Sequence, residues 1–414
     1  MVRGASRDLA RLYLAQGTAY LFPFLTFPYL SRTLGPEGFG SLALAQSLGA
    51  YLQVVADYAF STLGVRESAS SVGDREKLRR TVWGVASAKL LLAFALGALA
   101  GGATHLLPPL REQPLLGLGA LAWALGWGAL PVWFFLGVGR TDAVILLEVG
   151  SRALATLAIF ALVREPHQAF LPPLLSGGSF LLWAALGWYW IHRQLGKPVL
   201  KLRDGLTYLR AGWPLFLSRS AVALYTSVNP LILGHFVPPG QVGIYAGADR
   251  LVQALLGTLD PLGRAFFPRL SRLVAEDAGK ARNWARRVFL AQVALGALMS
   301  LSLLLAAPLA VSLFLGPHYG DAVRVLRILS PIPLLVAASN AMGAQWMLAL
   351  RLDRAFAALL GTAAGINLLL APVLAWKYGP EGLAWGAVAV EAWVTLAMLL
   401  HLSREGAWFF GRKG

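Results

Sequence analysis

"LGPEGFGSLALAQ", residues 34–46, sets a glycine beside a proline and follows them with small and apolar residues. A close echo, "GPEGLAWGAVAVEAW", begins at Gly379. Looser versions begin at Val237 ("VPPGQVGIYAGADRL") and at Gly316 ("GPHYGDAVRVLRIL"). Pro and Gly stop a helix and turn the chain. A chain that repeats such a corner ahead of a new apolar run is built from helical hairpins.

The solvent of those hairpins follows from composition. Of 414 residues, 57% are hydrophobic and 14% charged, against about 25% charged in a soluble domain. Apolar runs of about 20 residues, enough to cross about 30 Å of hydrocarbon, recur from end to end. The alternating segments of a membrane β-barrel are absent from the sequence. The fold class is therefore an all-α polytopic membrane protein. Twelve spans are expected, at roughly 9–33, 38–62, 81–106, 114–138, 142–163, 169–191, 210–236, 241–267, 287–315, 321–350, 353–376 and 380–402. The first run is too long for a cleavable signal and lacks a small-residue cleavage site.

An even count places both termini on one side. With the N-terminus cytoplasmic, 25 of the 36 Lys and Arg residues fall at cytoplasmic ends or loops. Four fall outside (Arg32, Arg111, Arg164, Lys377) and seven within or at the edges of spans. That asymmetry gives the expected orientation. It also accounts for the net charge of +16 without a nucleic-acid partner. Three basic loops carry much of it, residues 65–80, 192–205 and 268–287, and contact with anionic lipid is their ordinary role. There is no cysteine, hence no disulfide or thiolate metal site.

The four corners all fall at outer hairpins, and two have matching flanks. Pro28 precedes Pro36 by eight residues, and Pro230 precedes Pro239 by nine. Each corner is followed by a Gly (Gly40, Gly243), small residues, and then a polar position (Gln46; Asp249, Arg250). Spans 1–2 and 7–8 read as copies. Two six-helix lobes result, 1–200 and 201–414, with the same orientation and a substrate site expected in a cavity between them. Pro23, Pro28, Pro214, Pro230, Pro331 and Pro333 are expected to interrupt spans 1, 7 and 10. Such interruptions mark transport sites, or simply kink membrane helices.

Three stretches carry a resemblance: "FPYLSRTLGPEGFGSLALAQSLGAY" (residues 27–51), "GWPLFLSRSAVALYTSVNPLILGHFVPPGQVGIYAGADRLVQALL" (212–256) and "FFPRLSRL" (266–273). The chain resembles, over nearly its whole length, the polysaccharide-transport branch of the multidrug/oligosaccharidyl-lipid/polysaccharide exporter superfamily. That branch contains the O-antigen flippases. The resemblance implies a two-lobed bundle with a central cationic cavity in the bacterial inner membrane. Its implied substrate is an undecaprenyl-pyrophosphate-linked oligosaccharide, with the glycan-polymerising machinery as a possible partner. Asn229 stands where relatives often carry a carboxylate.

Charges inside a membrane are functional candidates by default, and helical spacing sorts them. Arg152 follows Glu148 by four, Arg264 follows Asp260 by four, and Arg324 follows Asp321 by three; these read as structural pairs. Lys89, Arg219 and Arg250 have no carboxylate at three or four residues' distance. Asp249 adjoins Arg250, but successive helical residues do not face one another. An arginine fork suits phosphate oxygens, so Arg219, Arg250 and Lys89 are the candidates for the pyrophosphate. The alternative for each is a pair between helices with Asp57, Asp249 or Glu391. Asp57 and Glu391, with Asn229 or Asn367, are candidates to bind a coupling H+ or Na+; no other cofactor is expected. Tyr29, Tyr51, Tyr58, Tyr225, Tyr245 and Trp346 either stack on sugar rings or pack helices. Gly97/Gly101, Gly361/Gly365 and Gly382/Gly386 are expected at close helix contacts.

No phosphate loop or metalloprotease motif occurs, so direct use of ATP is not expected. A flippase for a lipid-linked oligosaccharide is the leading function. A peptidoglycan-precursor flippase and a cation-coupled multidrug exporter are the alternatives within transport. A membrane polysaccharide polymerase or ligase needs outer loops bearing catalytic residues, and the outer connections here are a few residues long.

Overall fold

The corner that opens the sequence is a single residue wide. In a computed structural model of the chain, the helix α1 (Val2–Asp57) is broken at Gly35, whose φ is 64°. Its echo breaks the last helix, Asp353–Arg404, at Gly379, with φ 57°. Positive φ is costly for any residue with a Cβ. Space does not constrain Gly35, since nothing lies within 4 Å of an added Cβ. Gly35→Ala is therefore expected to cost about 1–2 kcal/mol through backbone conformation alone, read as a lower unfolding midpoint in detergent.

The structure describes the backbone of residues 2–410. It describes their side chains except those of 2–16, 19, 20, 218, 221, 222, 224–226, 260, 261, 264 and 265. Tyr225 and the Asp260–Arg264 pair lie outside the described residues.

From α1 the helices run α2 (Phe60–Ala69), α3 (Arg75–Leu106), α4 (Pro108–Glu112), α5 (Pro114–Ala129), α6 (Val132–Gly137), α7 (Thr141–Leu162) and α8 (Leu171–Leu195). They continue as α9 (Leu202–Thr226), α10 (Asn229–Phe236), α11 (Pro239–Leu256), α12 (Asp260–Glu276) and α13 (Ala278–Phe314). After these come α14 (Ala322–Leu329), α15 (Ile332–Asn340) and α16 (Asp353–Arg404), with a π-helical stretch Ala341–Met347 before the last. No strand occurs among the described residues. Among the described residues, eight stretches are long and apolar enough to cross a membrane. Two of them, Leu21–Ala69 and Asp353–Arg404, contain the Gly35 and Gly379 corners. The segments expected as spans 7 and 8 are divided among α9 to α12, which are separated at residues 227–228, 237–238 and 257–259 and are not among the eight.

The prolines act unevenly. Pro230 and Pro331 stand at breaks, between α9 and α10 and between α14 and α15. Pro23 and Pro28, in contrast, lie inside continuous α1, and Pro214 inside α9. Thr26 donates its hydroxyl to the Phe22 and Pro23 carbonyls and Ser31 to that of Pro28. Side chains thus occupy carbonyls near the sites where proline removes backbone donors.

The chain divides into two compact units, Met1–Gly240 and Gln241–Gly414. In the first, α1 packs on α5, α7, α3 and α9, α5 packs on α8, and α3 on α9. Gly126 and Gly177 let α5 and α8 approach until their backbones touch: a Cβ at either would collide with the other helix. In the second, α13 packs on α12, α14 and α15, and α16 packs on α14, α15 and the π-helical stretch. Of the three glycine pairs expected at close contacts, only Gly382/Gly386 meets one, against Leu374 across the Gly379 corner. Gly97, Gly101, Gly361 and Gly365 face open space.

The loop before α13 is stapled by Asp277, whose side chain accepts from the Lys280 N–H at 2.9 Å. That amide holds the Asp277 carboxyl below the usual carboxylate range. A depressed folded pKa contributes stability above the unfolded value, lost as pH falls through the folded one. The wild-type advantage over Asp277→Ala is expected to be present at neutral pH and to disappear under acid, read from paired melts.

Candidate functional site

The principal charged site grows from a break that carries neither Gly nor Pro. Tyr58 and Ala59, between α1 and α2, both have positive φ, 44° and 65°. Such conformations persist only where the surroundings over-determine them. Here the restraint is polar on one side. Asp57 accepts from the Ser61 amide at 3.1 Å and from the Ser61 hydroxyl at 2.8 Å, which caps the start of α2. Arg219 of α9 donates to Asp57 at 2.5 Å, to Ser61 Oγ at 2.7 Å and to Thr62 Oγ1 at 3.0 Å. On the other side Tyr58 stacks on Phe216 with ring centroids 4.5 Å apart. One fork thus ties α9 to both helices flanking the break.

Lys89 of α3 meets the same break from another direction. Its ammonium donates to the Gly128 carbonyl at 2.7 Å and reaches the Ala56 carbonyl at 3.5 Å. Both carbonyls belong to the last turns of helices, α5 and α1, where backbone acceptors lose their intrahelical donors. A cation there also opposes the negative ends of two helix dipoles. Trp188 completes the α5 terminus by donating to Ala129 O at 2.8 Å.

Asp57, Ser61, Lys89, Trp127, Glu148 and Arg219 are among the residues lining a cavity of about 420 Å3. Glu148 pairs with Arg152 at 3.4 Å, and the Arg152 guanidinium lies 5.4 Å from the Trp127 ring. Two acids are each matched by an arginine, and Lys89 adds an ammonium whose partners are neutral carbonyls. Its lining holds two cations, Lys89 and Arg219, and two acids, Asp57 and Glu148; with Glu148 held by Arg152, which is outside the lining, the Lys89 ammonium and the Arg219 fork are the groups offered to an anion. Arg219 remains 44% exposed and Asp57 22%, so a soluble group can compete for either.

Three of the expected site residues, Asp57, Lys89 and Arg219, are brought together. Asn229 opens α10 beyond the break that follows α9; Ser47 donates to the Ser227 carbonyl there. Asp249 and Arg250 are neighbours on α11, where Gln253 donates to Asp249 at 3.4 Å. Asn367 is buried on α16, and Glu391 sits on the same helix. These four belong to the second unit. The Arg152–Glu148 pair occurs as spaced, but Arg324 pairs with Glu381 at 3.0 Å instead of Asp321. Glu381 follows the Gly379 corner, and tertiary proximity outweighs the three-residue spacing. Tyr58, Tyr245 and Trp346 are buried, and Tyr29 donates to Val163 O at 2.5 Å; these four pack helices. Neither Ser61 and Glu148 as cavity residues nor Thr62 as a partner of Arg219 is foreseen from the sequence. A serine four after Asp57 is a local capping signal; the rest had none.

The profile of the family described as polysaccharide biosynthesis protein matches residues 6–274. A candidate O-antigen transporter of Escherichia coli (strain K12) is 29% identical over 398 residues, covering 96% of both chains. Another, from Shigella dysenteriae, is 26% identical over 399 residues, 95% of this chain and 98% of its own. Among solved structures, an inward-facing multidrug-resistance MATE transporter of the MOP superfamily aligns at TM-score 0.73 and 17% identity, covering 97% of this chain and 98% of its own. The lipid II flippase MurJ, in an inward closed conformation, aligns at 0.72 and 12% identity, covering 94% of this chain and 87% of its own. At these identities the two structures share its fold.

Proposed function

The chain belongs to the polysaccharide biosynthesis protein family, and from that premise we propose that it is a flippase for a lipid-linked oligosaccharide. The substrate is an undecaprenyl-pyrophosphate-linked saccharide, carried from the cytoplasmic to the outer leaflet of a bacterial inner membrane. The observation that carries this reading is the cavity of about 420 Å3 set among apolar helices, with Lys89 and Arg219 in its lining. A diphosphate with a glycan cannot cross hydrocarbon unaided, and a polar cavity with cationic donors offers it a route. Full-length similarity to candidate O-antigen transporters supports the saccharide.

In this reading Arg219 and Lys89 bind the diphosphate, and Arg250 is a further candidate for it. The Arg219 fork exchanges Asp57 for phosphate oxygens, for which its planar geometry is suited. Asp57, relieved of its cation, then has reason to take H+ or Na+. Asp249, Glu391, Asn229 and Asn367 are the other coupling candidates. Two lobes, 1–200 and 201–414, give alternating access, with both termini cytoplasmic. Polymerising machinery for the glycan receives the product.

Deletion of the gene, with lipid-linked saccharides quantified by leaflet, tests this. Cytoplasmic-face build-up of one undecaprenyl-pyrophosphate oligosaccharide is the expected result. Build-up of a peptidoglycan precursor instead reassigns the substrate. Build-up on the outer face indicates a polymerase or ligase, and no build-up with new sensitivity to cationic drugs indicates an exporter.

A further inference from the structure

A second cavity, of about 620 Å3, lies between α3, α5 and α8 of the first unit. Its lining is largely aliphatic and aromatic, and it opens outward: Leu90, Leu181 and Tyr189 in its wall are about half exposed. On an apolar helical bundle that outside is hydrocarbon. Such a crevice alone would be ordinary surface relief. Two features make it more.

First, it abuts the charged cavity. Lys89 and Gly128 line both, so the one ammonium of the crevice stands at the junction. Second, it contains an unmet donor. The Trp83 indole N–H is buried and has no hydrogen-bond partner among the described residues, although its ring stacks 5.9 Å from that of Trp188, whose own N–H is bonded. Buried donors are rarely left unpaired, so the wall of the crevice at Trp83 is incompletely satisfied.

An ordinary phospholipid keeps its head in interfacial water. A crevice that runs from hydrocarbon to an ammonium, with a polar cavity beyond, suits a lipid whose head is large and continues inward. We propose that this crevice is a tail subsite, holding the polyprenyl chain of the substrate next to its phosphate, with Lys89 at the lipid–phosphate junction. The inference rests on the flippase reading and adds to it a lipid-binding site within the first unit.

The full chain, in vesicles of phosphatidylethanolamine and phosphatidylglycerol, is probed with radiolabelled undecaprenyl phosphate. A benzophenone amino acid replaces Leu181, in the crevice, or Leu182, its exposed neighbour outside the lining. Labelling at Leu181 is expected to exceed that at Leu182 by about 5-fold, and to be competed by unlabelled undecaprenyl phosphate but not by added phosphatidylglycerol. Equal labelling at both positions, or equal competition by phosphatidylglycerol, would overturn the subsite. Ala185→Trp, which fills the crevice, is expected to slow saccharide flipping about 10-fold at unchanged protein abundance; undiminished flipping overturns it as well. Preferential labelling by a wild-type background that flips no saccharide refutes the flippase and upholds a polyprenyl site. Flipping without preferential labelling refutes the subsite alone.

Discussion

Arg219→Ala lowers saccharide flipping by about 100-fold or more, roughly 2.7 kcal/mol of transition-state stabilisation. The residue ties α9 to the α1–α2 break through three hydrogen bonds and lines the charged cavity. Alanine removes a candidate phosphate ligand and leaves Asp57 without its cation. Two further variants separate these effects. Arg219→Lys keeps the charge but not the fork and is expected to retain about a tenth of the activity. The exchange Asp57→Arg with Arg219→Asp restores the ion pair. If the pair serves only to hold the helices, the exchange restores transport. If a cation is required on α9, it restores the unfolding midpoint and transport stays low. Wild-type flipping by an Arg219→Ala, Arg250→Ala double variant removes the pyrophosphate assignment altogether.

Lys89→Met is the second large effect, and it is expected in stability and transport together. The methionine keeps an apolar stem of similar length but withdraws the donor from the Gly128 and Ala56 carbonyls. An acceptor left without its donor costs about 1–3 kcal/mol, so the unfolding midpoint in detergent falls. One of the two cations in the cavity lining goes with it, and flipping is expected to fall about tenfold. A variant with both quantities unchanged would show that the ammonium neither caps these helices nor attracts the substrate.

The parts of this architecture that rest on local chemistry could be read directly. Gly35 and Gly379 sit in the same four residues, "GPEG", and both break a helix at one positive φ. Glu148 and Arg152 pair as their four-residue spacing implies. What escaped was long-range or lacked a side-chain signature. Arg219 and Asp57 are 162 residues apart; their lack of local partners made a pair between helices an alternative for Arg219, without choosing Asp57 over Asp249 or Glu391. The partners of Lys89 are backbone carbonyls, which every residue possesses. The Tyr58–Ala59 break has no proline or glycine because tertiary restraints, and not local preference, impose it. Glycine spacing identifies a face but not what lies opposite: Gly361/Gly365 and Gly382/Gly386 share one spacing in sequence and differ in space.

The one-residue corners at Gly35 and Gly379 bear on how the chain is made as well as how it folds. Arms joined through a single residue have no slack. While a ribosome is still extending the second arm, the first has no room to settle across the bilayer and wait. Each such pair must insert into the membrane together, as a preformed hairpin. Lengthening either corner with a flexible insert would let one arm insert without the other, and the first casualty would be topology during synthesis.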